Sequence, residues 1–160
     1  MFKTVIWATD GSEAADAALP FAKSLAEGEG HKLVVVHCRE LLRGRAGGYP
    51  MYADEDELQT KIRLQADELR SEGLDVTLRI ETGAAPGAAH TIADVARGFG
   101  AVVVVVGTRG HTAIGGLLLG SVTQRLLHVA PCPVLAVPAL GSPASFLAER
   151  AETILSPAGG

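Results

Sequence analysis

Only two cysteines, Cys38 and Cys132, occur in 160 residues, and no histidine stands at ligand spacing around them. A zinc cage of the usual kind is therefore excluded. Each cysteine lies in or beside an apolar run, so both are expected to be buried thiols in a reducing compartment. Basic residues are in deficit: 14 Lys and Arg face 18 Asp and Glu, a formal net charge of -4. A mildly acidic surface argues against nucleic acid as a partner, because phosphate backbones select basic faces. No apolar run approaches the roughly 18 residues of a membrane span. The opening stretch MFKTVIWATD has neither the apolar core nor the cleavage site of a signal peptide. A soluble cytoplasmic protein is the expectation.

Several catalytic signatures are missing as well. No lysine follows Lys61, so no glycine loop here completes the G-x-x-x-x-G-K-[ST] phosphate motif. The first strand leads into Thr9-Asp10-Gly11-Ser12 and not into G-x-G-x-x-G. No paired carboxylates and no Ser/His/Asp constellation are readable by spacing. His31, His90 and His128 show no partner at ligand spacing.

What is present is an alternation of strand-length apolar runs with amphipathic helical stretches. The length, with 48% hydrophobic and 20% charged residues, suits one globular domain. Lys3–Thr9, Leu33–Cys38, Asp75–Thr82, Ala101–Val106 and Pro133–Pro138 read as strands. Asp75–Thr82 alternates and should be an edge. Ala101–Val106 (AVVVVV) is the most hydrophobic and should be central. Between them, Ala14, Ala17, Ala18, Phe21, Ala22 and Leu25 form one helical face, with Pro20 expected to kink it or loosen one turn. Leu58, Ile62, Ala66 and Leu69 form a second, from a start at Asp54-x-x-Glu57 to a glycine cap at Gly73. Ala89, Ile92, Ala93, Ala96 and Phe99 form a third, and Ser121–Ala130 is the fourth helix. Segment 39–54 is long for a connection and reads as a flap or a functional loop. From Ala139 the composition shifts to Ala, Ser, Pro and Gly, an appendage with room for one short helix. Residues 1–138 are thus expected to form the domain and 139–160 to be appended to it.

Strand–helix alternation through five strands implies a single α/β domain: a parallel sheet in the order 3-2-1-4-5 with helices on both faces. The winding then reverses between the first and fourth strands. Ligands of such sheets bind at the carboxyl ends flanking the reversal. Those ends are Thr9-Asp10-Gly11 and Gly107-Thr108-Arg109-Gly110. The second runs on to Gly120-Ser121 at a helix start, where free N–H groups and the helix dipole favour an anion. Glycines there would let backbone N–H groups approach phosphate oxygens, with Arg109 or Arg125 as charge partners. The plainer reading is a glycine-rich turn with a serine N-cap. His37, in an apolar strand, reads as a satisfied core histidine. His111, inside the loop, is either a solvated loop residue or a contact to phosphate or to a metal-bound water.

Gly107-x-x-Gly110, nine residues, then Gly120-Ser121 after a hydrophobic fourth strand resembles the ATP-binding signature of universal stress proteins. The opening VIWATDGS, the VVVH of the second strand and the closing PCPVLAVP are similar to the same family, over roughly residues 1–138. The resemblance implies an adenine-nucleotide alpha-hydrolase-like fold and bound ATP, with Mg or Mn bridging its phosphates. It implies Asp10, beside Thr9, as acceptor from ribose hydroxyls; its plainer role is a helix N-cap. It implies an adenine pocket lined by backbone near His37 and Cys38, where Cys38 replaces a small aliphatic residue. Gly107 and Gly110 would flank ribose and phosphates, and Gly120, Ser121 and Val122 would take the phosphate tail. It also implies a homodimer through the edge strand Pro133–Pro138. The function expected is that of a stress-response sensor or regulator with slow or no ATP hydrolysis. The alternatives are an ATP-hydrolysing or adenylyl-transferring enzyme on the same scaffold, and a binding-only dimer module with a vestigial site.

Overall fold

The computed structural model describes residues 3–39, 55–82, 87–108 and 119–139. Their elements are β1 (Lys3–Ala8), α1 (Glu13–Ala26), β2 (His31–Arg39), α2 (Glu55–Ser71), β3 (Val76–Thr82), α3 (Ala88–Gly98), β4 (Ala101–Gly107), α4 (Ser121–Val129) and β5 (Val134–Val137). The five strands form one sheet in the order β3-β2-β1-β4-β5, and every pairing is parallel. This is the expected topology, with β3 at one edge as its alternation suggests. The expected flap at 39–54 lies, from residue 40, outside the described residues. So does the appendage from residue 140.

Side-chain alternation along the strands builds two cores. Val5, Trp7, Leu33, Val35 and Val105 point to the face covered by α1 and α2, where Ala18, Ala22, Ile62 and Ala66 meet them. Ile6, Ala8, Val34, Val36, Val104 and Val106 point to the opposite face, against Ala89, Ile92 and Ala96 of α3 and Leu126 of α4. Trp7 is completely buried, and its indole N–H donates to the Ala15 carbonyl at 3.0 Å, which ties β1 to the first turn of α1.

The helix α1 meets the sheet through an alanine stripe, Ala14, Ala15, Ala18, Ala22 and Ala26. Small side chains allow a very close approach. A Cβ on Gly107 would fall 2.5 Å from the Ala14 carbonyl carbon and 2.9 Å from the Ala15 nitrogen. Only glycine fits there, although its backbone is unstrained. Leu25, expected on this face, is 44% exposed, because a stripe centred on Ala18 and Ala22 turns it outward. The helix also runs unbroken through Pro20, which is exposed, so the missing hydrogen bond lies on the solvent side.

As expected of its run of valines, β4 lies inside the sheet, between β1 and β5. The β1–β4 register slips between Thr4 and Val5, which pair with Ala101 and Val103, and Val102 is left over, 43% exposed. Both cysteines are half-buried thiols, not the fully buried ones expected. Burial still pushes the Cys132 thiol above its ordinary range, because a thiolate there loses water.

Opposite effects are expected at two glycines. Gly107→Ala should cost about 1–3 kcal/mol through overpacking against α1. Gly98→Ala, at the end of α3 with nothing within 4 Å of an added Cβ, should gain about 0.5–1 kcal/mol. Urea unfolding of the two variants measures both. Alkylation of Cys132 in a Cys38→Ser background should accelerate only above the pH range of an exposed thiol, since the raised value leaves less thiolate at neutral pH.

Candidate functional site

The ends of β1 and β4 lie side by side, since Ala8 pairs with Val106, so Thr9-Asp10 stands next to Gly107-Thr108 at the winding reversal. The turn after β1 is built by its own polar atoms. Thr9 N–H donates to the Val36 carbonyl at 2.9 Å and Thr9 Oγ1 accepts from Gly11 N–H at 3.0 Å. Asp10 Oδ1 accepts from Ser12 N–H at 3.0 Å. Gly11 has φ +75°, which favours glycine, and a Cβ on it would fall 2.0 Å from Leu58 Cδ1 and push that side chain aside. The N-cap of α1 is Ser12, whose Oγ accepts from Ala15 N–H at 3.2 Å. The capping role considered for Asp10 therefore falls to Ser12. Asp10 instead holds the turn that precedes the cap.

His37 is 3% exposed and both ring nitrogens are engaged. Nδ1 lies 2.9 Å from the Thr9 carbonyl, which can only accept, so Nδ1 carries a proton. Nε2 lies 2.9 Å from Glu55 Oε1. This is the satisfied core histidine expected from the sequence. Its ring is held between the β1 turn and α2, which leaves only its backbone for a ligand at the sheet end. Cys38 points to the other face, its Sγ 3.8 Å from the Ala88 carbonyl at the start of α3.

The glycine loop is described at its two ends. Gly120 N–H donates to the Thr108 carbonyl at 2.7 Å, and Thr108 N–H to the Val137 carbonyl at 2.9 Å. Thr123 Oγ1, buried in the first turn of α4, donates to the Gly107 carbonyl at 2.9 Å. The loop is thus clamped where it leaves β4 and where it enters α4. Arg109, Gly110 and His111 lie outside the described residues. The N-cap of α4 is Gly120, with no side-chain cap bond, so the serine cap considered for Ser121 is not what forms. Ser121 is exposed in the first turn. Val122 turns its side chain into the second core, leaving its N–H as its polar group. Arg125 is exposed.

The helix N-termini at this end of the sheet differ in charge. The first turns of α1 and α2 carry Glu13, Asp16, Glu55, Asp56 and Glu57, which neutralise their own dipoles. The first turns of α3 and α4 carry no acid and no side-chain cap bond. An anion is therefore favoured on the α3–α4 side. A separate hollow of about 350 Å³ lies between α2 and β3, lined by Arg63, Asp67, Arg70, Leu78 and Ile80. It shares no residue with the reversal.

Three residues that touch this region escaped the sequence reading: Glu55, Lys61 and Thr123. Lys61 Nζ donates to the Gly11 carbonyl at 2.9 Å and pairs with Asp16 at 2.5 Å. The long connection before α2 hid these contacts, because nothing local in the sequence joins α2 to the first turn.

Parallel strands wound in opposite senses from β1 and β4, with the ends of those two strands side by side at the reversal, define a doubly wound α/β domain of the Rossmann-like nucleotide alpha-hydrolase type. The chain belongs to the universal stress protein family, whose model matches residues 1–138. It is 38% identical over 140 residues to a universal stress protein of Thermus aquaticus, covering 86% of this chain and 99% of the relative. Universal stress protein MJ0577 of Methanocaldococcus jannaschii is 29% identical over 154 residues, covering 86% of this chain and 95% of the relative. Among solved structures, MJ0577 superposes with a TM-score of 0.66 at 26% identity, covering 89% of this chain and 99% of that one. A universal stress protein in complex with cAMP superposes with a TM-score of 0.59 at 26% identity, covering 86% and 97%.

The capping difference is testable by stability. Ser12→Ala should cost about 1 kcal/mol by removing the α1 cap. Ser121→Ala, on an uncapped and exposed first turn, should stay within about 0.5 kcal/mol of the parent in the same urea titration.

Proposed function

We propose that this chain is an ATP-binding universal stress protein that acts as a sensor or regulator in the cytoplasm, with slow or no hydrolysis of its own. The observation that carries this reading is the acid-free first turn of α4, which starts beside the end of β4 and so next to the paired end of β1. The first-turn N–H groups of a helix point away from its own carbonyls, and its positive dipole end favours a phosphate. The donor set fits a nucleotide. Gly120, Ser121 and Val122 would take the phosphate tail by backbone N–H groups and the Ser121 hydroxyl. Asp10 would accept from the ribose hydroxyls, with Thr9 and Gly107 beside it. The backbone at His37 and Cys38 would line the adenine. Arg109, Gly110 and His111 would complete the loop. A divalent ion, Mg or Mn, would neutralise charge on the phosphates. The relative in complex with cAMP supports an adenine nucleotide as the ligand class. The lack of a lysine in the glycine motif supports binding without rapid turnover.

The protein would work as a homodimer of domains spanning 1–138, each with residues 139–160 appended. Strand β5 is the second edge of the sheet and presents Leu135, 37% exposed, which supports pairing with another copy there.

The test is ATP-Mg binding by calorimetry and thermal shift, together with mass spectrometry of whatever the purified protein releases on denaturation. At one hundred times its dissociation constant, ATP should stabilise the parent by about 2.7 kcal/mol. Ser121→Asp puts a carboxylate where phosphate would lie. It should weaken ATP at least about tenfold while leaving the nucleotide-free protein as stable or slightly more so, since an acid at N1 suits the helix dipole. A parent that releases no adenine nucleotide and ignores ATP-Mg would remove this reading.

A further inference from the structure

The two carbonyls that flank Asp10 are both held from α2. The Thr9 carbonyl accepts from His37 Nδ1, and His37 Nε2 is held in turn by Glu55 at 2.9 Å. Glu55 Oε1 is itself braced by Gln59 Nε2 at 2.9 Å. The Gly11 carbonyl accepts from Lys61 Nζ at 2.9 Å. Lys61 is fixed by Asp16, whose other carboxyl oxygen accepts from Gln65 Nε2 at 2.9 Å. Between these two struts Leu58 occupies the space a Gly11 side chain would need. The turn has its own internal bonds, but they run from residue to residue within it. Its placement relative to the rest of the molecule therefore rests on α2 as well as on β2, whose Val36 carbonyl accepts from Thr9 N–H.

From this we infer that Glu55 and Lys61 are positioning residues for the ligand site: they set where Asp10 presents its carboxylate and so tune recognition of the ribose hydroxyls, without touching the ligand. Glu55 acts through His37 and the Thr9 peptide. Lys61 acts through the Gly11 peptide. The reading rests on the proposed nucleotide function for its consequence, but the mechanical link from α2 to the turn stands by itself. By linkage, a ribose bound at Asp10 also tightens α2 on the sheet.

The experiment has two arms on the full chain, with variants Glu55→Ala and Lys61→Met and their conservative counterparts Glu55→Gln and Lys61→Arg. Arg63→Gln on the same helix, away from the turn, is the control. The first arm is amide hydrogen exchange without nucleotide. Exchange at Gly11 and Ser12 should rise in Glu55→Ala and Lys61→Met while the β4 amides of Val104–Val106 keep parental protection. The conservative variants should recover most of it. The second arm is the affinity ratio of ATP to 2′,3′-dideoxy-ATP. The parent should prefer ATP, and Lys61→Met should erode that preference by about tenfold, the effect of losing one well-aligned charge-assisted hydrogen bond. Affinity for the dideoxy nucleotide should hold. In an Asp10→Ala background, Lys61→Met should change the ratio no further.

Unchanged exchange at Gly11 and Ser12, or a rise shared equally by the β4 amides, overturns the inference. So does an equal loss of both nucleotides, which would mark a merely structural role. A parent that binds neither nucleotide sinks the proposed function instead, and the exchange arm alone then decides the link between α2 and the turn.

Discussion

The closeness of α1 to the sheet is the constraint on which the site geometry depends. A doubly wound sheet normally keeps a helix at side-chain distance. Here the backbone of Ala14 and Ala15 comes so near Gly107 that no Cβ could stand between them. The alanine stripe of α1 allows the approach, and the Trp7 indole fixes it by bonding the Ala15 carbonyl. Because α1 starts at the reversal point, its height above the sheet sets the height of the turn that precedes it. The glycine at the end of β4 is therefore a packing residue first, whatever else approaches it. Its carbonyl is also taken, by Thr123 from α4. One residue thus fixes the entry of α1 and the entry of α4 to the same strand end.

With both helices so placed, charge decides which of them faces an anion. Burying a phosphate near a carboxylate is costly, and five acids occupy the first turns of α1 and α2. The first turns of α3 and α4 carry none, and among the described residues neither has a side chain capping its N–H groups. The sheet therefore divides its carboxyl end into a self-neutralised half and an open half. Asp10 stands at the border, on the last turn before α1. A ligand with one end rich in hydroxyls and the other in phosphate matches that division, since hydroxyls donate to a carboxylate and phosphates accept from N–H groups.

Much of this was legible in the sequence because it is local or periodic. The strand order followed from strand–helix alternation and the rule of right-handed crossovers. The glycine at 11, the cap region at 12 and the helix start after Gly120 were readable as turn chemistry. What was misread came from tertiary context. Asp10 and Ser12 are equally good caps by type, and only the position of the first helical turn chooses Ser12. Ser121 looked like a cap until Gly120 took that place. The run of valines in β4 correctly marked an interior strand, but a register slip that the sequence does not announce spends one of them, Val102, on the surface. Glu55 and Lys61 were unreadable for a different reason. Their partners lie some fifty positions earlier in the chain for Lys61, and for Glu55 behind a buried histidine, so no window of sequence contains both ends of either contact.

That last failure says something about how the site is divided between near and far residues. Groups that could touch a ligand sit at strand ends and helix starts, where motif spacing is rigid and short. Groups that hold those residues in place come from α2, whose only requirement on sequence is a carboxylate and an amine on one helical face. Many helices satisfy so loose a pattern, which is why it carries little information before folding. After folding it carries a good deal, because the Gly11 carbonyl has its partner there and the Thr9 carbonyl is reached from there through His37 of β2. A recognition motif of this kind is complete in chemistry yet incomplete in geometry. The missing part is supplied by a helix that the motif does not mention, and any change that shifts α2 changes the site while leaving every motif residue intact.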